Sequence, residues 1–179
     1  MHFYERDYDF VEVARRAVDE VRPRFDERNV SVSEEPAASG MEARGDPDKV
    51  RRAMIHLLDN AAKFTPVGGR VAVGLRRGGG DGGRWYGLAV ADGGAGVAEE
   101  EVGRILEPFY QVDGSTTRSY GGVGLGLAFA RRVAEAHGGD VEVRSPPDED
   151  VAGERLEGTL VRLRVLAHPT PPSQAEARR

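Results

Sequence analysis

The sequence contains no cysteine, so disulfide bonds and thiolate metal sites are excluded. It also has no apolar run approaching the roughly 18 residues that a membrane-spanning helix needs, and its polar N-terminus is unlike a signal peptide. Acidic and basic residues are interspersed, with a formal net charge of -5, which gives no electrostatic reason to expect binding to nucleic acid or to an anionic membrane. We therefore expect a cytoplasmic segment without direct membrane contact, whose parent protein can be anchored through other segments.

The helical regions can be read from caps and apolar spacing. The 179 residues, of which 39% are hydrophobic, are enough for one domain with a proper core. Asp9 and Glu12 have the spacing of a capping box and precede apolar residues at helical intervals. Asp46 precedes a proline, which is tolerated in the first turn of a helix. The predicted helices cover residues 9–28, 46–64, 98–106 and 125–137.

The remaining apolar segments predict strands in three pairs. Residues 30–33 and 41–44 form the first pair, and residues 71–75 and 85–90 form a hairpin with a flexible, glycine-rich connection. Residues 141–145 and 159–166 form the last pair. This order of elements predicts an α+β fold: a two-layer α/β sandwich with a mixed β-sheet and helices on one face. We assign residues 1–166 to the domain and expect the polar, proline-rich residues 167–179 to be a disordered tail.

A carboxylate followed by glycines stands at the end of one predicted strand. Asp92 follows the strand directly and is succeeded by Gly93, Gly94, Ala95 and Gly96. Such a carboxylate can accept a hydrogen bond from an exocyclic amine, and the glycines let a ligand approach the backbone. Taken alone, the same residues also fit a strand-to-helix turn with a capping aspartate.

A second glycine-rich run leads directly into a predicted helix. It reads Gly-Gly-Val-Gly-Leu-Gly-Leu over residues 121–127. Free backbone N–H groups and the helix dipole both favour phosphate at such a terminus. The dinucleotide-binding fingerprint is the usual rival interpretation, but it requires a preceding buried strand, and here a long polar loop comes first.

The helix over residues 46–64 carries two side chains suited to a metal ion and a phosphate. Asn60 supplies an amide oxygen, and Lys63 supplies an ammonium group on the next turn. Either residue alone is more often solvated surface.

Taken in order, these segments closely resemble the signature boxes of the catalytic domain of two-component histidine kinases. Residues 57–65 resemble the N box, and the two glycine runs resemble the first and second glycine boxes. Glu107-Pro108-Phe109-Tyr110-Gln111 resembles the F box, and Gly158-Thr159-Leu160 resembles the segment before the last strand. The family shares its Bergerat-type ATP-binding fold with gyrase, a heat-shock chaperone and mismatch-repair ATPases. The resemblance extends from about Asp9 to Leu166.

The resemblance implies ATP and Mg²⁺ as ligands and a role for each matching residue. Asn60 would ligate Mg²⁺ and act in catalysis with Lys63 and the neighbouring His56. Asp92 would accept the adenine amino group, Lys63 and Arg118 would contact phosphates, and residues 112–122 would form a lid over ATP. The other implied nucleotide-binding residues are Phe64, Gly94, Gly96 and Thr159 near adenine, and Gly122, Gly124, Leu125 and Gly126 near the phosphates.

His56 departs from the family pattern, which usually has an asparagine at this position, four residues before the metal ligand. In ATP-hydrolysing relatives the same position holds a glutamate that acts on water. One interpretation is a tolerated substitution, and the other is weakened or altered catalysis. A missing general base is no obstacle, because a neutral imidazole nucleophile has a free lone pair.

None of the four histidines, His2, His56, His137 and His168, lies in an acceptor-helix motif. We therefore expect the chain to bind ATP without phosphorylating itself. The resemblance implies two partners: a separate dimerisation and histidine phosphoacceptor domain, and a response regulator downstream. Two alternatives remain open, a serine kinase of the anti-sigma type and a degenerate nucleotide-sensing module, the latter supported only by His56.

Overall fold

The computed structural model describes residues 1–36, 38–110 and 125–169. Over these residues the elements, in chain order, are β1 (Arg6–Asp9), α1 (Phe10–Glu27), β2 (Ser31–Glu34), β3 (Glu42–Gly45), α2 (Pro47–Phe64), β4 (Arg70–Gly80), β5 (Gly83–Asp92), α3 (Glu99–Val102), α4 (Gly126–Ala136), β6 (Asp140–Arg144) and β7 (Leu160–Leu166). No helix in this described part is long and apolar enough to cross a bilayer.

The predicted fold class is confirmed. A five-stranded sheet has the order β2-β4-β5-β7-β6, in which β2 and β4 are parallel and the other pairs are antiparallel. Helix α2 packs against both α1 and α4, and this helical layer covers one face of the sheet. Side chains alternate along β5: Leu88 and Val90 join the main core, whereas Ala89 and Ala91 point to the other face. There they meet a small cluster that includes Val151 and Leu156 of the segment between β6 and β7.

Local capping places both long helices where the sequence predicts them. The Asp9 carboxylate accepts a hydrogen bond from Val11 N at 2.9 Å, and Asp46 accepts one from Lys49 N at 3.0 Å. Glu12 does not return the bond as a capping box would, because its carboxylate pairs with Arg15 and Arg16. Helix α3 is shorter than predicted, since only residues 99–102 of the predicted segment 98–106 are α-helical.

The pairing predicted for the first two strands is wrong. Strand β3 pairs antiparallel with β1, which was not predicted, and β2 instead pairs in parallel with β4. All three strands have four residues, and strands this short carry little register information of their own. Their partners are therefore decided by tertiary packing and not by the strand sequences themselves.

The glycine-rich connection of the hairpin is not a flexible loop. Glycines 78–80 continue β4, and the pairing runs to Gly80 opposite Gly83, so only Asp81 and Gly82 form the turn. The Trp85 side chain lies against Gly78, where an added Cβ would sit 2.6 Å from the indole Cε2 atom. Glycine is therefore needed here to make room for a ring on the paired strand.

His137 links the end of α4 to the start of α2. The imidazole is 3% exposed, its Nδ1 lies 2.7 Å from the carbonyl oxygen of Val133, and its Nε2 accepts a hydrogen bond from Asp46 N at 2.9 Å. These partners require the tautomer with the proton on Nδ1.

The segment that follows β7 also packs against the fold. Ala167, which the sequence analysis assigned to the tail, is buried, and its N–H donates to the carbonyl oxygen of Arg84.

We expect His137→Ala to lower the free energy of unfolding by about 2–4 kcal/mol, because it leaves the buried Asp46 N–H unpaired and creates a void. The measurement is denaturant-induced unfolding. His168→Ala, which removes an exposed imidazole from the chain end, is the matched control and should change stability by less than about 0.5 kcal/mol. Equal stability of the two variants would show that the link contributes nothing.

Candidate nucleotide-binding site

A cavity of about 260 Å³ lies between helix α2 and the sheet. Its walls are mostly apolar, and three polar side chains point into it: Asn60 from α2, Asp92 from the end of β5, and Thr159 just before β7. The remaining lining residues are Leu57, Ala61, Phe64, Val90, Ala95, Gly96, Val97, Ile105, Leu127 and Val161. An apolar slot with a few polar groups is typical of a site for a flat aromatic ligand.

Asp92 is held in place by backbone groups through one of its two carboxylate oxygens. Its Oδ1 accepts hydrogen bonds from Gly94 N at 2.9 Å and from Thr159 N at 3.3 Å. Among the described residues, no protein donor is bonded to Oδ2. The side chain is 8% exposed, and this burial raises the pKa of the carboxyl group, while the two N–H bonds oppose the rise. One oxygen is thus fixed and the other is free to accept a bond from a ligand.

The two glycines predicted to shape the pocket are required by close contacts. A Cβ on Gly94 would lie 2.7 Å from the carbonyl oxygen of Phe64 and 2.9 Å from Oδ1 of Asp92. Gly96 has a φ of +78°, which side-chain-bearing residues rarely adopt, and a Cβ there would lie 2.8 Å from the Ser145 hydroxyl. A side chain at either position would therefore displace its neighbours, and of the two glycines Gly96 lines the cavity.

Asn60 and Lys63 stand on α2, but only Asn60 lines the cavity. No hydrogen bond to the Asn60 amide is formed within the described residues, which leaves its oxygen available. The Lys63 ammonium lies 3.3 Å from Asp59 Oδ2, and Arg24 of α1 pairs with the other oxygen of the same carboxylate. Phe64, which ends α2, lines the cavity and remains 43% exposed at its mouth.

His56 lies outside the cavity, at the contact between α2 and the first turns of α4. Its ring packs edge-on against Phe129 with 5.3 Å between centroids, and a Cβ on Gly126 would be 3.0 Å from its Nδ1. Burial lowers the pKa of the imidazole below its usual value; the Asp59 carboxylate opposes this, and the nearby Arg52, Lys63 and Arg24 add to it. The lowered pKa favours the neutral imidazole, and the ring faces the helix that begins at Gly126.

Among the described residues, no side chain caps the N-terminus of α4. Leu125 precedes the helix and is 41% exposed, whereas Leu127 in the first turn lines the cavity. The first N–H groups of a helix have no partner within it, and the helix dipole makes them attractive to an anion. Arg118, Gly122, Gly124 and the predicted lid over residues 112–122 lie outside the described residues.

Two residues that hold the cavity together were not assigned a role from the sequence. Gly158 packs so closely on Asp92 that an added Cβ would lie 2.5 Å from the Asp92 carbonyl oxygen. The Ser145 hydroxyl accepts a hydrogen bond from Val97 N at 2.8 Å and donates one to the Gly158 carbonyl oxygen at 2.9 Å. Gly158 lies in a recognisable motif, but nothing local to Ser145 signals that it meets residues 48 positions earlier in the chain.

Fold and cavity together define a class of protein, the ATP-binding domains with a mixed sheet covered by helices on one face. The sequence profile described as "Histidine kinase-, DNA gyrase B-, and HSP90-like ATPase" matches residues 45–169. The chain belongs to this family, and it is an ATP-binding catalytic domain of the sensor histidine kinase type.

Individual relatives agree with this assignment. The sensor-like histidine kinase SenX3 of Mycolicibacterium smegmatis is 30% identical over 93% of this chain, which spans 40% of that protein. The solved structure of the mycobacterial sensor histidine kinase MprB is 31% identical, has a TM-score of 0.69, and is matched over 92% of this chain and 100% of that one. Full-length ShkA, solved in complex with AMPPNP, is 27% identical with a TM-score of 0.68, over 96% of this chain and 33% of that one.

Proposed function

We propose that the domain binds Mg·ATP in this cavity and donates the γ-phosphoryl group to a histidine on a separate dimeric helical domain. From there the phosphoryl group would pass to a response regulator. The observation that carries the proposal is the Asp92 carboxylate, buried in an apolar slot with Oδ1 saturated by backbone N–H groups and Oδ2 without a protein donor among the described residues. That arrangement suits the exocyclic amine of adenine.

The same groups would favour adenine over guanine. The adenine amine donates to a carboxylate oxygen, whereas guanine presents a carbonyl oxygen at the equivalent ring position, and two acceptors facing each other in a buried slot repel. Thr159, which is 7% exposed and lines the cavity, would contribute on the adenine side, with Gly94 and Gly96 shaping the slot and Phe64 covering its mouth. The complex of the relative ShkA with AMPPNP, an ATP analogue, supports a nucleoside triphosphate as ligand.

The phosphates would lie between α2 and the start of α4. The uncapped N-terminus of α4, with Leu125 and Gly126, offers free N–H groups, and the Lys63 ammonium would exchange its bond to Asp59 for one to a phosphate. Gly122, Gly124 and Arg118, in the preceding segment, would complete the phosphate contacts.

A magnesium ion fits the residues present. The described residues contain no group of three or more His, Cys, Asp or Glu side chains that could hold a metal by themselves. Mg²⁺ in phosphoryl-transfer sites is held instead by one or two protein oxygens together with substrate phosphates and water, and Asn60 offers such an oxygen in the cavity. When bound, Mg²⁺ supplies neutralisation of the phosphate charge.

We propose that the acceptor histidine comes from another domain. His137 is buried with both ring nitrogens hydrogen-bonded, and His56 is half-buried against Phe129. Because both of its ring nitrogens are bonded, His137 is not available as a nucleophile. This chain spans only 13–40% of the length of three curated relatives. Those proteins are therefore long enough to contain the proposed acceptor domain as well.

The test of this function is transfer from γ-labelled ATP to a supplied histidine phosphoacceptor domain. We expect labelled acceptor to form only with Mg²⁺ present, and the label to be lost in acid but retained in base, as a phosphoramidate requires. An acid-stable label on a serine would point instead to the serine kinase alternative. No transfer despite tight ATP binding would favour a nucleotide-sensing module.

His56→Asn separates a tolerated substitution from a degenerate site. His56 contacts α4 and lies outside the cavity, so we expect its replacement to change the transfer rate by no more than about threefold. The same acceptor assay provides the measurement, with ADP affinity measured in parallel. A variant that gains transfer where the wild type has none would establish that His56 disables the site.

A further inference from the structure

Ser145 connects the two backbone segments that form the adenine end of the cavity. The first segment, Gly96 and Val97, follows Asp92, and the second, Gly158 and Thr159, precedes β7. The Ser145 hydroxyl accepts from Val97 N at 2.8 Å and donates to the Gly158 carbonyl oxygen at 2.9 Å. Thr159 Oγ1 lies 3.5 Å from Ser145 Oγ. The hydroxyl therefore uses its one donor position on Gly158 and one acceptor position on Val97, and the longer contact with Thr159 lies at its second acceptor position.

The segments that Ser145 joins are the ones that hold Asp92. Gly158 N donates to the Asp92 carbonyl oxygen at 3.0 Å, and Thr159 N donates to Oδ1 of its carboxylate. A displacement of the segment with Gly158 and Thr159 therefore rotates or frees the carboxylate. Ser145 itself is half-buried and does not line the cavity, so it acts on a ligand only through these neighbours.

The close fit of Gly96 to Ser145 indicates that the link is built into the site. Gly96 has a positive φ and passes so near the hydroxyl that a Cβ would lie 2.8 Å from Ser145 Oγ. The segment after Asp92 thus approaches Ser145 as closely as its backbone allows, which holds the Val97 N–H on the hydroxyl. The contact fixes the width of the slot between the two segments.

From these contacts we infer that Ser145 is a positioning residue for adenine recognition, which keeps Asp92 Oδ2 directed at the exocyclic amine. The inference rests on the proposed binding of ATP in this cavity. It predicts an effect on base discrimination rather than on phosphate binding, because no described contact joins Ser145 to α2 or to the N-terminus of α4.

The experiment compares the affinities of ADP and inosine diphosphate, which lacks the exocyclic amine, for the wild type and Ser145→Ala. We expect Ser145→Ala to weaken ADP binding about 10-fold and inosine diphosphate binding by no more than about twofold, so that discrimination falls at least about fivefold. Ser145→Thr, which keeps the hydroxyl, should retain the wild-type discrimination. Ser33→Ala is the matched control, because Ser33 bonds Glu154 at the far edge of the sheet and should alter neither affinity.

The outcomes separate this inference from the proposed function. If Ser145→Ala weakens both nucleotides equally, or neither, while the wild type binds ADP, the positioning role is overturned and the nucleotide site stands. A Ser145→Thr variant with the low discrimination of the alanine variant would overturn it as well. If the wild type binds neither nucleotide, the proposed function itself fails.

Discussion

Asp92→Ala should abolish detectable ADP binding, a loss of about 100-fold or more, because the amine loses a charged acceptor and two backbone N–H groups lose their partner. The measurement is calorimetric titration of ADP and Mg·ATP into wild type and variant side by side. Asp81→Ala is the matched control, since Asp81 lies exposed in the hairpin turn between β4 and β5. Equal ADP affinity of Asp92→Ala and wild type would show that the site is assigned wrongly.

Asp92→Asn separates ligand recognition from stability. The pKa of the Asp92 carboxyl group is higher in the folded state than in the unfolded state. The group therefore stabilises the fold at pH values below the unfolded-state pKa, and this stabilisation is lost as the pH rises through the folded-state pKa. At pH 7 the ionised group therefore costs stability, and Asp92→Asn should unfold at no lower denaturant concentration than wild type. ADP binding should nevertheless be lost, because an amide nitrogen in place of Oδ2 cannot accept. A variant that both unfolds easily and loses binding would indicate a structural role.

The second large effect concerns Asn60. We expect Asn60→Ala to slow Mg²⁺-dependent phosphotransfer by about 100-fold or more, because the protein oxygen offered to the metal is removed. ADP binding without Mg²⁺ should change by no more than about threefold, because adenine recognition rests on Asp92. Phosphotransfer to the acceptor domain and ADP titration in a chelator are the two measurements.

Arg51→Ala is a suitable control for Asn60, because Arg51 also stands on α2 but pairs with Glu20 of α1, on the side facing away from the cavity. It should leave both measurements unchanged. If Asn60→Ala weakened ADP binding equally with and without Mg²⁺, the side chain would be contacting the nucleotide rather than the metal. Asn60→Asp should also impair transfer, since a carboxylate adds a negative charge beside the phosphates.

Most of the candidate site residues could be proposed from the sequence, because each belongs to a short local pattern whose chemical role can be recognised. Asp92 with its glycines, Asn60 on a helix, and glycines leading into a helix each form a local pattern, and their order suggested a shared function. The structure places Asn60, Asp92, Gly96 and Thr159 around one cavity. It leaves Lys63 beside Asp59 and His56 beside Phe129, because pairing and ring packing on α2 depend on neighbouring helices.

Short-range physics was sufficient for the two long helices, since a capping carboxylate and apolar residues at helical spacing act within a few turns. The proposal of Asp92 as the residue that binds adenine also rests on its own segment of the sequence. What the assembled sheet alone decides is which distant segments meet: β3 with β1, β2 with β4, His137 with Asp46, and Ser145 with Val97 and Gly158. These contacts depend on how α1, α2 and α4 pack on one face of the sheet. They join residues far apart in the chain, so no single stretch of sequence can predict them.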